Sequence, residues 1–308
     1  VADPWSIVLR GGLYAVLMAL FGLALFGLYG LDRPARRSGV VLPFTPLLAA
    51  CAGLALPLSA LALLQLAFVL SGASDWAEAW PQLPLVATQT DAGLASLVRL
   101  AALLGVLFAC LAHRRAPSAS LQGIAVLGAT ALATLAWAGH GVMDDAPRHL
   151  WHLGATLVHL WVSAGWFGAL LAFAWLLVLQ PPTTGAATRP LLRALAGFGT
   201  AGAVLVVLAA ATGLAKYLFI VGPRLAPLLE SRYGTLLLGK LGLFLAMLGL
   251  AALNRWWLTP ALKAALASRA PAGAIRRLRL SIGLELAAAM VILALVAWLG
   301  TLDPDAAN

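Results

Sequence analysis

Residues 42–71 read LPFTPLLAACAGLALPLSALALLQLAFVLS, 30 consecutive positions without one charged side chain. A helix rising about 1.5 Å per residue crosses the hydrocarbon core of a bilayer in about 20 mostly apolar residues, so this stretch alone is long enough to span. Seven further runs of the same kind cover roughly 6–30, 89–112, 121–142, 149–179, 194–221, 233–258 and 280–302. They are continuous, without the two-residue alternation and short regular spacing of an outer-membrane barrel. The sequence therefore predicts an all-α polytopic membrane protein, a single bundle over 1–308 with eight transmembrane helices. The first run exceeds a signal peptide's apolar region and no small-residue cleavage site follows it, so it is read as a helix.

Composition agrees. Of 308 residues, 62% are apolar and 10% charged, and mean hydropathy is +0.96. A soluble domain is about half apolar and about a quarter charged. The net charge of +9 would suggest a nucleic-acid partner in a soluble chain, but in a membrane chain it records which loops face the cytoplasm, so no nucleic acid is expected. Loops after runs one, three, five and seven carry 13 basic residues: Arg33, Arg36, Arg37; Arg114, Arg115; Arg189, Arg193; and Arg255, Lys263, Arg269, Arg276, Arg277, Arg279. The alternate loops hold Arg148, Arg224 and Arg232. The positive-inside rule puts the first set in the cytoplasm and both termini outside. Asp75, Glu78, Asp144, Asp145, Glu230, Asp303 and Asp305 fall on the outer side, where they form a solvated rim and would also attract a cation. The stretches 72–90 and 259–279 are the longest polar connections and neither can form a core of its own. No GxxxxGK[ST] loop is present, so ATP-driven transport is not expected, and nothing points to an enzyme.

Chemistry concentrates in 137–168, WAGHGVMDDAPRHLWHLGATLVHLWVSAGWFG. Four of the five histidines, His140, His149, His152 and His159, lie here. His152 and His159 are separated by 700° of helical rotation, 20° short of two turns, and by about 10.5 Å along the axis, so they share one stripe. The simplest neighbour for that stripe is the fourth helix, whose outer end carries His140 between two glycines. Imidazole is a common transition-metal ligand, and the thioether of Met143 adds softness suited to Cu(I). His149 and His152 also suit an interfacial helix start, and His159 a single interhelical hydrogen bond.

Other polar residues interrupt the runs. Lys216 and Lys240 lie one to two turns below the outer ends of the sixth and seventh helices, and Arg99 sits inside the third; long side chains of this kind can snorkel. Glu285 could pair with Arg255 or Asn254, as a lock between helices or as a station for a cation or proton. Pro57 should kink the second helix and release a carbonyl close to Cys51. Cys51 and Cys110 both lie inside apolar runs and offer no disulfide framework. His113, beside Arg114 and Arg115, reads as part of a cytoplasmic anchor. Gly165–Gly168 and Ala15–Ala19 are small-residue packing motifs, within the bundle or between chains.

WxGHG at Trp137–Gly141, His152 and His159 followed by Trp166 and Gly168, YGTLLLGK at Tyr233–Lys240, Asn254 and Arg255 followed by Pro260, and an arginine run leading to Glu285 together resemble the copper resistance protein D family. The resemblance covers nearly the whole chain and is densest over 137–301. It implies a multi-pass protein of the bacterial inner membrane with periplasmic termini that moves copper from periplasm to cytoplasm, receives it from a periplasmic partner of the CopC type, and handles it at His140, His152 and His159. The chain has only four methionines, which argues against a copper path built from methionine ladders. Two other readings stay open: a b-type haem protein that reduces copper, with His140 and His152 as axial ligands, and a membrane scaffold that hands copper on without transport. Histidine must be neutral to coordinate, so capture should weaken below about pH 6.5.

Overall fold

A computed structural model describes residues 4–38, 42–138, 146–178, 188–223, 226–268 and 270–302. Among these residues there is no strand, and eight helices are long and apolar enough to cross a membrane. They are α1 (Pro4–Tyr29), α2 (Phe44–Ser71), α3 (Asp91–Ala112), α4 (Pro117–Ala133, continued by a 3₁₀ turn Thr134–Ala138), α5 (Ala146–Val178), α6 (Thr188–Ile220), α7 (Arg232–Ala267) and α8 (Ala272–Leu299). The eight expected spans are thus all present.

Local sequence explains where several begin and end. Thr90 accepts from the backbone N–H of Gly93 at 3.0 Å and starts α3, and Ser231 does the same for Gly234 at 2.9 Å to start α7, each satisfying a donor that the helix leaves open. Gly72, at φ 64°, closes α2 in the left-handed conformation that favours glycine. The connection after α2 folds into short helices at Trp76–Ala79 and Leu83–Gln89, with Asp75 capping the first; Trp76 and Trp80 remain exposed there.

The stretch 259–279, expected to be a polar connection, is mostly helix: α7 runs on to Ala267 and α8 starts at Ala272. The cause is residues 259–267, TPALKAALA, rich in helix formers. Pro260 can donate no hydrogen bond, and its ring would crowd the carbonyl four residues back. The helix widens just before it into a π turn at Asn254–Leu258, and continues.

Packing centres on α1 and α5, the two most buried spans together with α4. They cross at Gly22 and Gly168. A Cβ on Gly22 would lie 2.1 Å from the Ala164 carbonyl oxygen, and one on Gly168 would lie 2.1 Å from the carbonyl carbon of Gly22. The small-residue motif at Gly165–Gly168 therefore serves packing within this bundle. Around that axis, α3 packs on α2 and α4, and α7 on α8, while α6 leans on α5. Little of α6 or α7 is buried. The arginine-bearing connections share one end: Arg36 donates to Ser118 at 3.1 Å, and Arg193 pairs with Asp32 at 2.5 Å. At the opposite end, Arg10 donates to the Gly300 carbonyl at 2.5 Å and Gln65 bonds Ser6.

Candidate functional site

The histidine stripe of α5 faces α6, not the fourth helix that chain adjacency suggested. His152, 3% exposed, stacks on Phe219 with ring centroids 5.2 Å apart. Two turns further in, His159 Nδ1 lies 3.0 Å from Thr212 Oγ1, and its ring edge rests against Gly213. The α1–α5 crossing accounts for the difference: it commits the other side of α5 to the core, and the face bearing the histidines is left to α6. His149 is half-buried at the start of the stripe. His140 and Met143 lie outside the described residues. Among the described residues no group of three His, Cys, Asp or Glu side chains converges as a metal cage.

The hydrogen bonding at His159 has a direction. Thr212 has one hydroxyl proton, and its oxygen sits 2.6 Å from the Leu208 carbonyl, the shorter of its two carbonyl contacts. With the proton given there, the hydroxyl meets His159 as an acceptor, so Nδ1 carries the hydrogen. In the neutral ring Nε2 then holds the lone pair, the state a metal-binding imidazole needs, with the other nitrogen oriented by a hydrogen bond.

The surroundings of His159 are basic. Lys216, one turn from Thr212, and Lys240 of α7 both act electrostatically on the ring, and Lys240 also acts on Lys216. Both lysines are half-buried, and no carboxylate among the described residues acts on the trio. A cation at His159 therefore meets repulsion from two sides.

Toward the arginine-bearing end, Glu285 of α8 is 2% exposed and accepts from Asn254 Nδ2. Of its two expected partners only Asn254 bonds it; Arg255 donates instead to the Gly199 carbonyl of α6. Asn254 and Arg255 are consecutive on one helix, about 100° apart around its axis, so they face different neighbours. Asn254 Oδ1 and Trp166 Nε1 are both buried and without a hydrogen-bond partner, although the indole is turned toward the Glu285 carboxyl.

Arg99 does not snorkel either. It is 4% exposed and donates to Ser59 at 3.2 Å, Thr134 at 3.1 Å and Ser96 at 3.0 Å. Each of those hydroxyls passes its own proton to a carbonyl of its own helix, Ala55, Ala131 and Ala92 respectively. The guanidinium thus ties α2, α3 and α4 together. Cys51 is half-buried in α2 within electrostatic range of Cys110 on α3, which is buried. His113 closes α3: its Nδ1 lies 3.3 Å from Ser120, whose hydroxyl donates to the Ala109 carbonyl, and its ring lies 5.9 Å from Phe44. Burial holds its pKa below the ordinary histidine value.

Sequence reasoning overlooked Thr212, Phe219 and the hydroxyl set around Arg99. Thr212, Lys216 and Phe219 repeat at spacings of four and three along α6, one helical face, and that periodicity was the available signal.

Two family profiles match this chain. "Copper resistance protein D-like, N-terminal domain" covers residues 1–150, and "Copper resistance protein D" covers residues 192–299. The chain is also 50% identical over 303 residues to "Copper resistance protein D" of Pseudomonas syringae pv. tomato, spanning 98% of each. The chain belongs to the copper resistance protein D family. "Inner membrane protein YebZ" of Escherichia coli (strain K12) is 30% identical over 171 residues, 55% of each chain. No solved structure matches. Membership of the copper resistance protein D family, with eight spanning helices, makes this a copper-related multi-pass protein of the inner membrane. Nearly all of α5, with His152 and His159, lies between the two profile matches and packs on helices from both, namely α1 and α4 on one side and α6 and α8 on the other.

Proposed function

We propose that this protein moves copper across the inner membrane from periplasm to cytoplasm, with the arginine-bearing connections in the cytoplasm and both termini in the periplasm. Copper, as Cu(I), arrives from a periplasmic protein of the CopC type and is caught by His152 with His140 and Met143. It then steps about two turns inward to Nε2 of His159. The role is transport and not catalysis.

The observation that carries this reading is the 3.0 Å contact of His159 Nδ1 with Thr212 Oγ1, which supports the tautomer that leaves Nε2 to a metal. Lys216 and Lys240 fit a transit point better than a storage site: a station must bind well enough to admit the ion and weakly enough to release it, and nearby ammonium groups limit how long a cation stays. The haem reading takes His140 and His152 as its axial ligands, and an optical spectrum separates it from copper transport.

The test is copper uptake into proteoliposomes containing this protein alone, alongside elemental analysis and an optical spectrum of the purified protein. Uptake that falls at least tenfold in His152→Ala and His159→Ala, with size-exclusion behaviour unchanged, is the expected result. Undiminished uptake in both variants overturns the histidine route. Copper binding without uptake by the unaltered protein overturns transport in favour of a scaffold. A Soret band that shifts on reduction overturns it in favour of a haem protein.

A further inference from the structure

A cavity of about 320 Å³ lies between α5, α6, α7 and α8 near the arginine-bearing end of the bundle. Its walls are apolar and aromatic, with Phe173 and Phe198 facing it, and its polar groups gather at Trp166, Asn254, Arg255 and Glu285. Three of these are more than nine-tenths buried: Trp166 at 5% exposure, Asn254 at 8% and Glu285 at 2%. Among the described residues neither Trp166 Nε1 nor Asn254 Oδ1 completes a hydrogen bond, although the indole is turned toward the Glu285 carboxyl. Buried polar groups normally do, so a donor and an acceptor stand ready for a ligand. Asn254 opens the π turn of α7, a feature frequent at functional sites.

The mouth of the cavity is defined by its exposed wall residues, Ala203 and Val207 on α6 and Trp256 on α7. The two helices meet chiefly at the π turn and the segment after it, and the opening lies between them above that contact. Both are membrane spans, so the mouth faces lipid and the ligand arrives through the bilayer.

Chemistry narrows the occupant. A metal cation is disfavoured because the indole N–H is turned toward the carboxyl and a guanidinium lines the same cavity. Water would satisfy the polar end, but the volume is that of about ten water molecules and the aromatic walls offer them nothing. A lipid acyl chain would suit the walls and leave both orphaned atoms unpaired. A volume at the low end for small-molecule sites suits one substituted ring.

We propose that this cavity binds the ring of a lipid-soluble quinol or quinone, its tail leaving through the α6–α7 mouth. A ring oxygen accepts from Trp166 Nε1–H in either form. Only the hydroxyl of the quinol can also donate to Asn254 Oδ1, so the reduced form is the tighter ligand. The ring meets Phe173 and Phe198 in the offset or edge-on contacts that aromatic groups prefer. This site lies at the other end of α5 from His152 and stands apart from the copper route.

The experiment measures retention of a short-tailed benzoquinol, and of its quinone, by nanodiscs of phosphatidylethanolamine and phosphatidylglycerol carrying the full chain, with empty nanodiscs as the partition control. Retention above the control should saturate, with the quinol bound about threefold or more tighter, the worth of one added hydrogen bond. Trp166→Phe should weaken both forms about three- to tenfold. Ala203→Phe, which fills the mouth without touching the polar end, should abolish the saturable part; Val207→Phe replaces it should that variant fail to fold. Retention that never saturates, that survives closure of the mouth, or that Trp166→Phe leaves unchanged overturns the proposal.

Discussion

Thr212→Val tests the copper reading most directly, because valine keeps the shape of threonine and removes only the hydroxyl. In the unaltered protein that oxygen passes its proton to the Leu208 carbonyl at 2.6 Å and accepts from His159 Nδ1 at 3.0 Å. With a methyl group in its place, Nδ1–H loses the hydroxyl and keeps only the backbone of Ala209 on that side. The neutral ring then gains by moving its hydrogen to Nε2, the nitrogen that copper needs. Losing one such hydrogen bond costs about 1 kcal/mol, and removal of partners that orient a metal-binding imidazole costs about 10–100-fold in metal affinity. The expected result is a loss of Cu(I) affinity within that range, read by competition with a chromophoric Cu(I) chelator in detergent, and recovered by Thr212→Ser. The same variant should slow proteoliposome uptake without shifting thermal unfolding by more than a few degrees. Affinity equal to that of the unaltered protein, with the fold intact, refutes the assignment of Nε2 as a ligand.

Three further outcomes concern stability. Gly168→Ala places a methyl carbon 2.1 Å from the Gly22 carbonyl carbon, against a normal carbon contact of about 3.5–4.0 Å. The helices must part by more than about 1 Å, at about 2 kcal/mol or more; thermal unfolding in detergent that matches the unaltered protein contradicts this. At Arg99, Ser59→Ala should destabilise by about 1–3 kcal/mol, because it strands a buried guanidinium N–H. Arg99→Met should cost less than that, because each hydroxyl keeps its own carbonyl and a buried charge leaves the interior; the reverse order in chemical denaturation would show the charge itself to be the stabilising element. For His113, burial lowers the folded-state pKa below the unfolded value of about 6.5. Its contribution is therefore fully present above about pH 6.5 and is lost as pH falls from there through the folded value. Unfolding temperature measured against pH should decline over that window, and His113→Gln should flatten the decline.

How far the sequence could be read depended on what each feature asks of the chain. Spans depend only on local composition, and residues 42–71 declare themselves without reference to any other part of the molecule. The end of α7 was misjudged because Pro260 and the charges around it look like a break, whereas a π turn at Asn254–Leu258 absorbs the proline and lets the helix continue. The stripe formed by His152 and His159 was legible because it is a property of one helix. Its neighbour was not, because short connections favour adjacency between consecutive helices and say nothing of which face the Gly22–Gly168 crossing will occupy. Pairing of Asn254 with Glu285 was among the alternatives. The choice against Arg255 depends on where α6 and α8 lie around α7, since Arg255 reaches the Gly199 carbonyl of α6, and no pattern of apolar residues announces that. Arg99 shows the limit most clearly, since its partners Ser59 and Thr134 are 40 and 35 residues away and serine and threonine in an apolar run carry no distinguishing mark.

The distribution of satisfied and unsatisfied polar groups then separates the two halves of the bundle. Within α1–α4 the buried charge is Arg99, held by three hydroxyls that are themselves bonded. Such a knot is finished: it fixes helix positions and offers a passing ion nothing to bind. Within α5–α8 the reverse holds. His159 keeps a free ring nitrogen, Lys216 and Lys240 lie within electrostatic range of it, and Trp166 and Asn254 leave polar atoms unpaired further in. Leaving polar groups unpaired inside a membrane is costly, and the spans beside them, α6 and α7, are little buried. Passage and binding are therefore to be sought along α5 and its C-terminal neighbours, with α1–α4 as their support. Cross-linking α1 to α5 near Gly22 and Gly168 should leave copper uptake intact, while cross-linking α5 to α6 beside the His159–Thr212 contact should suppress it; the opposite pattern would place the route in the other half.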